Sequence, residues 1–206
     1  MKIILLHGLF MNKVIMAPLA KRLEALGYDV ENISYSSTKA DKTRLFNTID
    51  KAIADGPALM LGHSLGGLVI TDYLFTKQVS INKVPMVITL GTPHQGAQIT
   101  KDMEKLNIDG LLGSSPQFGI LPKNFKKSWP VPQQLISIAG NVKLGARPLL
   151  DRVWREEVAE SDGTVSIAET KIPGMSEHIT VRQSHTSMVY SRKVVKIIDR
   201  FAQQLR

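Results

Sequence analysis

The sequence predicts an α/β fold: a mostly parallel sheet of about six strands with helices on both faces. Two observations carry this prediction. Short apolar runs, typical of strands buried on both faces, alternate with longer segments whose apolar residues recur at helical spacing. Two of those helical segments stop at Gly27 and just before Gly56-Pro57. With 206 residues and 43% hydrophobic content, the chain is large enough to bury a core, and we expect one domain over residues 1–206.

The first half of the chain is expected to supply three strands and three helices. Lys2 to Leu6 is the first strand, and Met16 to Leu26 is a helix with leucines on one face. Asp29 to Ser34 is the next strand. A second helix is marked by Leu45, Ile49 and Ile53; it is followed by the wholly apolar strand at Ala58 to Leu61 and the helix at Leu65 to Phe75.

The second half is expected to add three strands and a terminal helix. The strands are Met86 to Leu90, Leu135 to Ala139 and Ile179 to Arg182, and the amphipathic helix is marked by Val194, Ile198, Ala202 and Leu205. The segment Ala97 to Pro132 interrupts the alternation and is rich in large apolar residues. Its length suggests a lid over an apolar crevice; the alternative is an ordinary helix with its loops, packed on the sheet.

The most specific motif is Gly62-His63-Ser64-Leu65-Gly66-Gly67, which lies between an apolar strand and an apolar helix. A serine between glycines at a strand-to-helix turn is typical of a nucleophile elbow. Any Cβ at position 62 or 66 would collide with neighbouring chain, so glycine is required there. The alternative is that Ser64 merely caps the helix.

Backbone donors for an oxyanion are expected beside Ser64. The N–H of Leu65 lies at a helix N-terminus, where such groups are unpaired. The turn His7-Gly8-Leu9-Phe10 ends the first strand, and it offers the N–H of Leu9, or alternatively of Phe10, as the second donor. The alternative interpretation of this turn is that Gly8 only allows the chain to turn into the first helix.

A serine nucleophile needs a base, and the base needs an acid that fixes its tautomer. The chain offers the order serine, acid, histidine that is usual with an elbow: Asp162 lies in a turn and His185 lies before the last helix. Asp151 and Glu169 are the alternative acids. The other four histidines are expected to shape turns or anchor loops: His7, His63, His94 and His178.

Five motifs together resemble the α/β-hydrolase fold superfamily, in particular its small bacterial lipase-like and esterase-like members. They are HGLF at 7–10, GHSLGG at 62–67, LGTPHQGA at 90–97, SDGTVS at 161–166 and SHTSM at 184–188. The resemblance implies a Ser64, Asp162, His185 triad without a cofactor. The sequence begins at the strand that carries the oxyanion turn, and we therefore expect the fold to lack its usual first hairpin.

The expected activity is cleavage of carboxylic esters, as in an esterase or lipase, through an acyl-enzyme intermediate. The same triad can cleave thioesters or amides or transfer acyl groups, and a catalytically silent binding module is the alternative outside enzymes. The expected partner is a small-molecule or lipid ester. Neither a metal-binding histidine pair nor a phosphate-binding glycine loop is present, so we expect no metal and no cofactor.

Composition and charge limit the kinds of site, the cellular location and the partners that we expect. The absence of cysteine excludes disulfides, thiolate zinc sites and a cysteine nucleophile. No apolar run is long enough to span a bilayer and no leader is evident, so a cytoplasmic protein is expected. The net charge of +8 is spread along helices, and no nucleic-acid motif accompanies it. One cluster, Lys123, Lys126 and Lys127, suggests contact with a membrane surface.

Overall fold

A computed structural model describes residues 1–96, 109–118, 127–144 and 160–206. Its six strands form one sheet in the order β2-β1-β3-β4-β5-β6, and every neighbouring pair is parallel. The strands are β1 (Lys2–Leu6), β2 (Asp29–Ile33), β3 (Ala58–His63), β4 (Met86–Leu90), β5 (Gln134–Gly140) and β6 (Glu177–Val181). The six-stranded parallel sheet expected from the sequence is thus confirmed.

Four α-helices lie among the described residues. They are α1 (Lys13–Glu24), α2 (Lys42–Ala52), α3 (Leu65–Lys77) and α4 (Arg192–Ala202). Short 3₁₀ helices occupy Asp109–Leu112, Ser115–Phe118, Ser187–Tyr190 and Gln203–Leu205. No described helix has the length and apolar composition needed to cross a bilayer. The cytoplasmic location stays a prediction.

Two apolar cores cover the two faces of the sheet. Alternate residues of β1 point to opposite faces: Ile3 and Leu5 join the core formed with α1 and α4, whereas Ile4 and Leu6 join the core formed with α2 and α3. All four side chains are fully buried. A strand covered on both faces has no exposed side to fill with polar residues, which explains the uninterrupted apolar run over residues 3–6.

The structure shifts several of the expected element boundaries by one to three residues. Helix α1 begins at Lys13 rather than Met16, because the side chain of Asn12 caps it by accepting the N–H of Val14 at 2.9 Å. Helix α3 runs two residues past Phe75, to Lys77. Strand β6 covers Glu177–Val181, so it begins two residues before the expected start and ends one residue before the expected end.

The segment expected to form a lid is only partly described. Within Ala97 to Pro132, the structure describes residues 109–118 and 127–132. Phe118 and Trp129 lie in the core on the α3 face, so these parts pack on the sheet. The remaining residues, and with them Lys123 and Lys126, lie outside the described part, and a lid stays a prediction, as does the single domain.

Candidate active site

Ser64 occupies a strained turn between β3 and α3. Its backbone lies at φ 54° and ψ −123°, a conformation that L-residues rarely adopt and that costs about 1–3 kcal/mol. Three hydrogen bonds hold it there: the Ser64 N–H donates to the Leu90 carbonyl at 2.8 Å, and the Ser64 carbonyl accepts from the Gly67 N–H and the Thr92 hydroxyl at 3.1 and 2.9 Å. The serine therefore has the backbone expected of a nucleophile elbow.

Close backbone contacts explain the glycines around Ser64. A Cβ on Gly66 would overlap the Leu6 carbonyl of β1, and one on Gly62 would overlap the backbone of Gly67. Backbone atoms of a packed sheet and helix cannot move aside as a flexible side chain can. The geometry therefore agrees with the expectation that positions 62 and 66 exclude a side chain.

The first-strand turn lies directly against the elbow. A Cβ on Gly8 would lie 2.9 Å from the Ser64 Cβ, so the backbone that carries Leu9 passes close to the serine. Among the described residues, nothing accepts a hydrogen bond from the N–H of Leu9 or of Leu65. The N–H of Phe10, in contrast, donates to the Ser37 hydroxyl at 3.0 Å. Free donors next to Ser64 are thus Leu9 and Leu65 rather than Phe10.

His185 and Asp162 form a buried pair. His185 Nδ1 donates to Asp162 Oδ2 at 2.7 Å, and the two side chains are 9% and 1% exposed. The other carboxylate oxygen, Oδ1, accepts the N–H groups of Thr164 and Val165 at 2.9 and 2.8 Å. The His185 N–H also donates to the Asp162 carbonyl at 2.9 Å. Both side chains are therefore fixed in orientation, with Nε2 of His185 left over.

The pair lies at the same sheet edge as Ser64. Asp162 follows β5 and His185 follows β6, and the carboxyl ends of parallel strands share one edge. A Cβ on Gly91, which follows β4, would lie 2.9 Å from Asp162 Oδ2 and 3.0 Å from His185 Nδ1. The ring of His185 packs 4.7 Å from that of His63, the residue before the serine. No hydrogen bond joins Ser64 Oγ to a described residue, as is frequent without bound substrate.

Of the two alternative acids, only Glu169 lies among the described residues, and no hydrogen bond or ion pair joins it to His185 there. Glu169 Oε2 accepts the N–H and the hydroxyl of Ser166 at 2.6 and 2.7 Å, within its own loop. Asp151 lies outside the described residues. Between the two described candidates, Asp162 is the one paired with His185.

Two of the other histidines hold loops. The His7 ring stacks on Tyr35 at 4.3 Å, and its Nδ1 donates to the Gly8 carbonyl at 2.9 Å, next to the turn that carries Leu9. Burial lowers the pKa of His7 below its usual value. His178 shares a 2.8 Å hydrogen bond with the Thr170 hydroxyl. These contacts agree with the structural parts expected of both residues.

His94 anchors the loop after β4. It is 4% exposed, shares a 3.1 Å hydrogen bond with the Thr89 hydroxyl, and meets the edge of Trp129 at 6.0 Å between ring centres. Burial, with a smaller contribution from the charge of His178, lowers the pKa of His94 to about 3. The imidazole therefore stays neutral in the folded chain at any pH near neutrality.

We expect the His94→Gln variant to lose less stability in acid than the wild type. Below about pH 6.5 the unfolded histidine binds a proton that the folded one does not, so acid favours unfolding. Between pH 7 and pH 5 one such group contributes about 2 kcal/mol to the loss of unfolding free energy. Urea unfolding of both proteins at the two pH values measures the difference, because other groups titrate equally in both. Equal losses would contradict the assigned pKa.

Two contacts around the serine were not foreseen from the sequence. The Thr92 hydroxyl donates a hydrogen bond to the Ser64 carbonyl, and the Ser37 hydroxyl accepts one from the Phe10 N–H. Thr92 belongs to the LGTPHQGA motif, so the motif indicated its position but not its contact. No group of three or more histidine, aspartate or glutamate residues that could hold a metal ion occurs within residues 1–96, 109–118, 127–144 and 160–206.

Solved structures with a similar fold include a lipase, a carboxyl esterase and a pyrethroid hydrolase. The mature lipase BlEst2 of Bacillus licheniformis aligns with a TM-score of 0.71 and 21% identity, over 97% of this chain and 91% of that one. The metagenomic carboxyl esterase MGS0156 aligns at 0.72 and 15%, over 100% and 76%. The pyrethroid hydrolase PytH aligns at 0.65 and 18%, over 98% and 97%. The predicted α/β-hydrolase fold is thereby confirmed.

Sequence comparison points to one family. No curated protein matches the chain significantly. A family model described as the PGAP1-like alpha/beta domain matches residues 43–201, which include Ser64, Asp162 and His185. The match extends over more than half of the sequence, and the chain therefore belongs to the PGAP1-like α/β domain family.

Proposed function

We propose that this protein is a serine hydrolase that cleaves carboxylic esters through an acyl-enzyme intermediate. The observation that supports it most is the buried His185–Asp162 pair at the sheet edge where Ser64 sits in a strained elbow. The strained backbone costs free energy that a purely structural serine would not require. A nucleophile does require it, because the strained turn projects the hydroxyl away from the following helix.

Each residue has one task in the proposed reaction. The Ser64 oxygen attacks the ester carbonyl carbon while its proton passes to His185 Nε2, and Asp162 holds Nδ1–H and stabilises the imidazolium. The negative oxygen of the tetrahedral intermediate accepts the N–H groups of Leu9 and Leu65. His185 then protonates the departing alcohol. Water, deprotonated by His185, attacks the acyl-serine, and His185 passes that proton to the Ser64 oxygen as the acid is released.

The preference for esters is supported by the similar structures, whose titles name a lipase, a carboxyl esterase and a pyrethroid hydrolase. Thioesterase, amidase and acyltransferase activities use the same groups, so the substrate must be tested directly. We propose p-nitrophenyl acetate, butyrate, octanoate and palmitate, one acyl thioester and one anilide as substrates. Ester turnover above that of thioester and anilide supports the proposal, and turnover of the anilide alone overturns it.

We infer that Phe10 contacts the acyl part of a substrate. It follows the proposed donor Leu9 directly, is 63% exposed, and is held at a φ of 56°, where a bulky residue is strained. An exposed aromatic ring under backbone strain adds nothing to the core. Next to the proposed oxyanion donor, it offers apolar surface to a chain attached to the ester carbonyl.

We expect the Phe10→Gly variant to lose activity on long chains selectively. Turnover of octanoate should fall about tenfold because apolar contact worth roughly 1.4 kcal/mol is lost, and turnover of acetate should change less than threefold. Glycine adopts a positive φ freely, so stability should not fall. Gln78→Gly is the matched control: Gln78 also has a positive φ, of 48°, but lies at the far end of α3. Equal loss on all chain lengths would contradict the assignment.

A further inference from the structure

His63 connects the elbow to the loop of His185. Its Nε2 lies 2.9 Å from the carbonyl oxygen of His185, 122 residues further along the chain. The two imidazole rings also pack together, with centres 4.7 Å apart and planes inclined by 54°. His63 is completely buried. It thus contacts His185 through both its hydrogen-bonding edge and its ring face.

The bond fixes the protonation state of His63. A carbonyl oxygen can only accept, so Nε2 must carry the proton. Burial, and next the charge of the neighbouring His185, lower the pKa of His63 to about 3. The ring is therefore neutral, with a bare Nδ1. Neutrality matters here because a second imidazolium would repel the one that forms on His185 during catalysis.

The bond to His185 comes with a buried nitrogen, Nδ1 of His63, that has no hydrogen-bond partner in the described part of the chain. An unsatisfied buried acceptor is destabilising, and an apolar side chain could fill the same space without it. Core packing alone therefore does not account for a histidine here. The hydrogen bond that Nε2–H donates to the His185 carbonyl does account for a histidine at position 63.

Both backbone polar groups of His185 form hydrogen bonds, one with Asp162 and one with His63. Its N–H donates to the Asp162 carbonyl at 2.9 Å, and its carbonyl accepts from His63. Because His63 and Ser64 are adjacent, the second bond sets the position of the His185 backbone relative to the serine. The first sets it relative to the acid.

We propose that His63 is a positioning residue that holds His185 at its working distance from Ser64 through the Nε2–H bond. The inference rests on the proposed function, since it assumes that His185 acts on Ser64. His63 itself touches no reacting atom. Its loss should lower the rate of the chemical step, because a displacement of about 1 Å between catalytic groups costs up to 100-fold.

Two amide variants separate the hydrogen bond from the ring packing. In His63→Gln the side-chain amide nitrogen lies near the position of Nε2 and can still donate to His185, whereas in His63→Asn it lies near Nδ1 and cannot. Both variants lose the aromatic ring. We expect His63→Asn to lower kcat 10- to 100-fold, with KM changed less than threefold. The kcat of His63→Gln should be at least tenfold higher than that of His63→Asn. Equal kcat values in two folded variants would overturn the proposal.

The rate of reaction with a fluorophosphonate keeps this test separate from the proposed function. If the wild type is labelled and both variants are labelled as fast, His63 has no positioning role. If the wild type is not labelled at Ser64, the proposed function fails first. Nitrogen-15 NMR of histidine-labelled wild type decides the case in which a variant does not fold. We expect His63 protonated at Nε2, and protonation at Nδ1 would overturn the inference.

Discussion

The Ser64→Ala variant is expected to lower ester turnover at least about 10⁴-fold while leaving the fold intact. Alanine removes only the oxygen that forms the acyl-enzyme. The elbow is held through the backbone of residue 64, by Leu90, Gly67 and Thr92, and none of these bonds involves the Ser64 hydroxyl. Turnover of p-nitrophenyl butyrate and thermal unfolding, measured on the same preparation, test both parts of the expectation.

A second serine serves as the matched control. Ser176 is exposed and precedes β6, so it lies at the sheet edge opposite the elbow. Ser176→Ala should keep turnover within about twofold of the wild type, in the range of ordinary surface changes. Loss of turnover in both variants, or in neither, would argue against Ser64 as the nucleophile.

Replacing Asp162 with asparagine should lower kcat about 10³- to 10⁴-fold. The asparagine carbonyl can take the place of Oδ1 and accept from Thr164 and Val165, so its NH₂ group then faces His185 Nδ1. Two donors cannot share a hydrogen bond, and Nδ1 must give up its proton. The proton moves to Nε2, which can no longer accept the one from serine.

Glu169→Gln is the matched change in the neighbouring loop. Glu169 accepts two hydrogen bonds from Ser166, and among the described residues no hydrogen bond or ion pair joins it to His185. A glutamine oxygen can still accept the bonds from Ser166. Its kcat should stay within about threefold of the wild type. A larger loss in Glu169→Gln than in Asp162→Asn would transfer the acid role to Glu169. Stopped assays at one pH with saturating ester are sufficient for the comparison.

The fold was accessible from the sequence because local patterns decide it. Strands β1 and β3 are buried on both faces and therefore contain uninterrupted apolar runs, at residues 3–6 and 58–61. The apolar residues of α4 recur at regular helical spacing. The start of α1 was placed wrongly because the capping by Asn12 precedes the first apolar residue. Caps act through one side chain and leave no periodic pattern.

The candidate site was predictable only where chain order carries the information. Ser64 follows from the glycines around it, and Asp162 and His185 follow from their loops after late strands. Sequence alone does not decide between Leu9 and Phe10 as the donor, because the difference depends on Ser37, which lies 27 residues beyond Phe10 and accepts its N–H. The contact of His63 with His185 spans 122 residues and has no counterpart in spacing or composition.

The most direct test of the proposed mechanism is the intact mass of the protein after reaction with a fluorophosphonate. The wild type should gain the mass of one adduct, mapped to Ser64, and Ser64→Ala should gain none. Phosphonylation requires a serine activated by its base, so it reports the elbow and the His185–Asp162 pair together. An unlabelled wild type would instead favour a catalytically silent binding module, and an adduct retained in Ser64→Ala would place the nucleophile elsewhere.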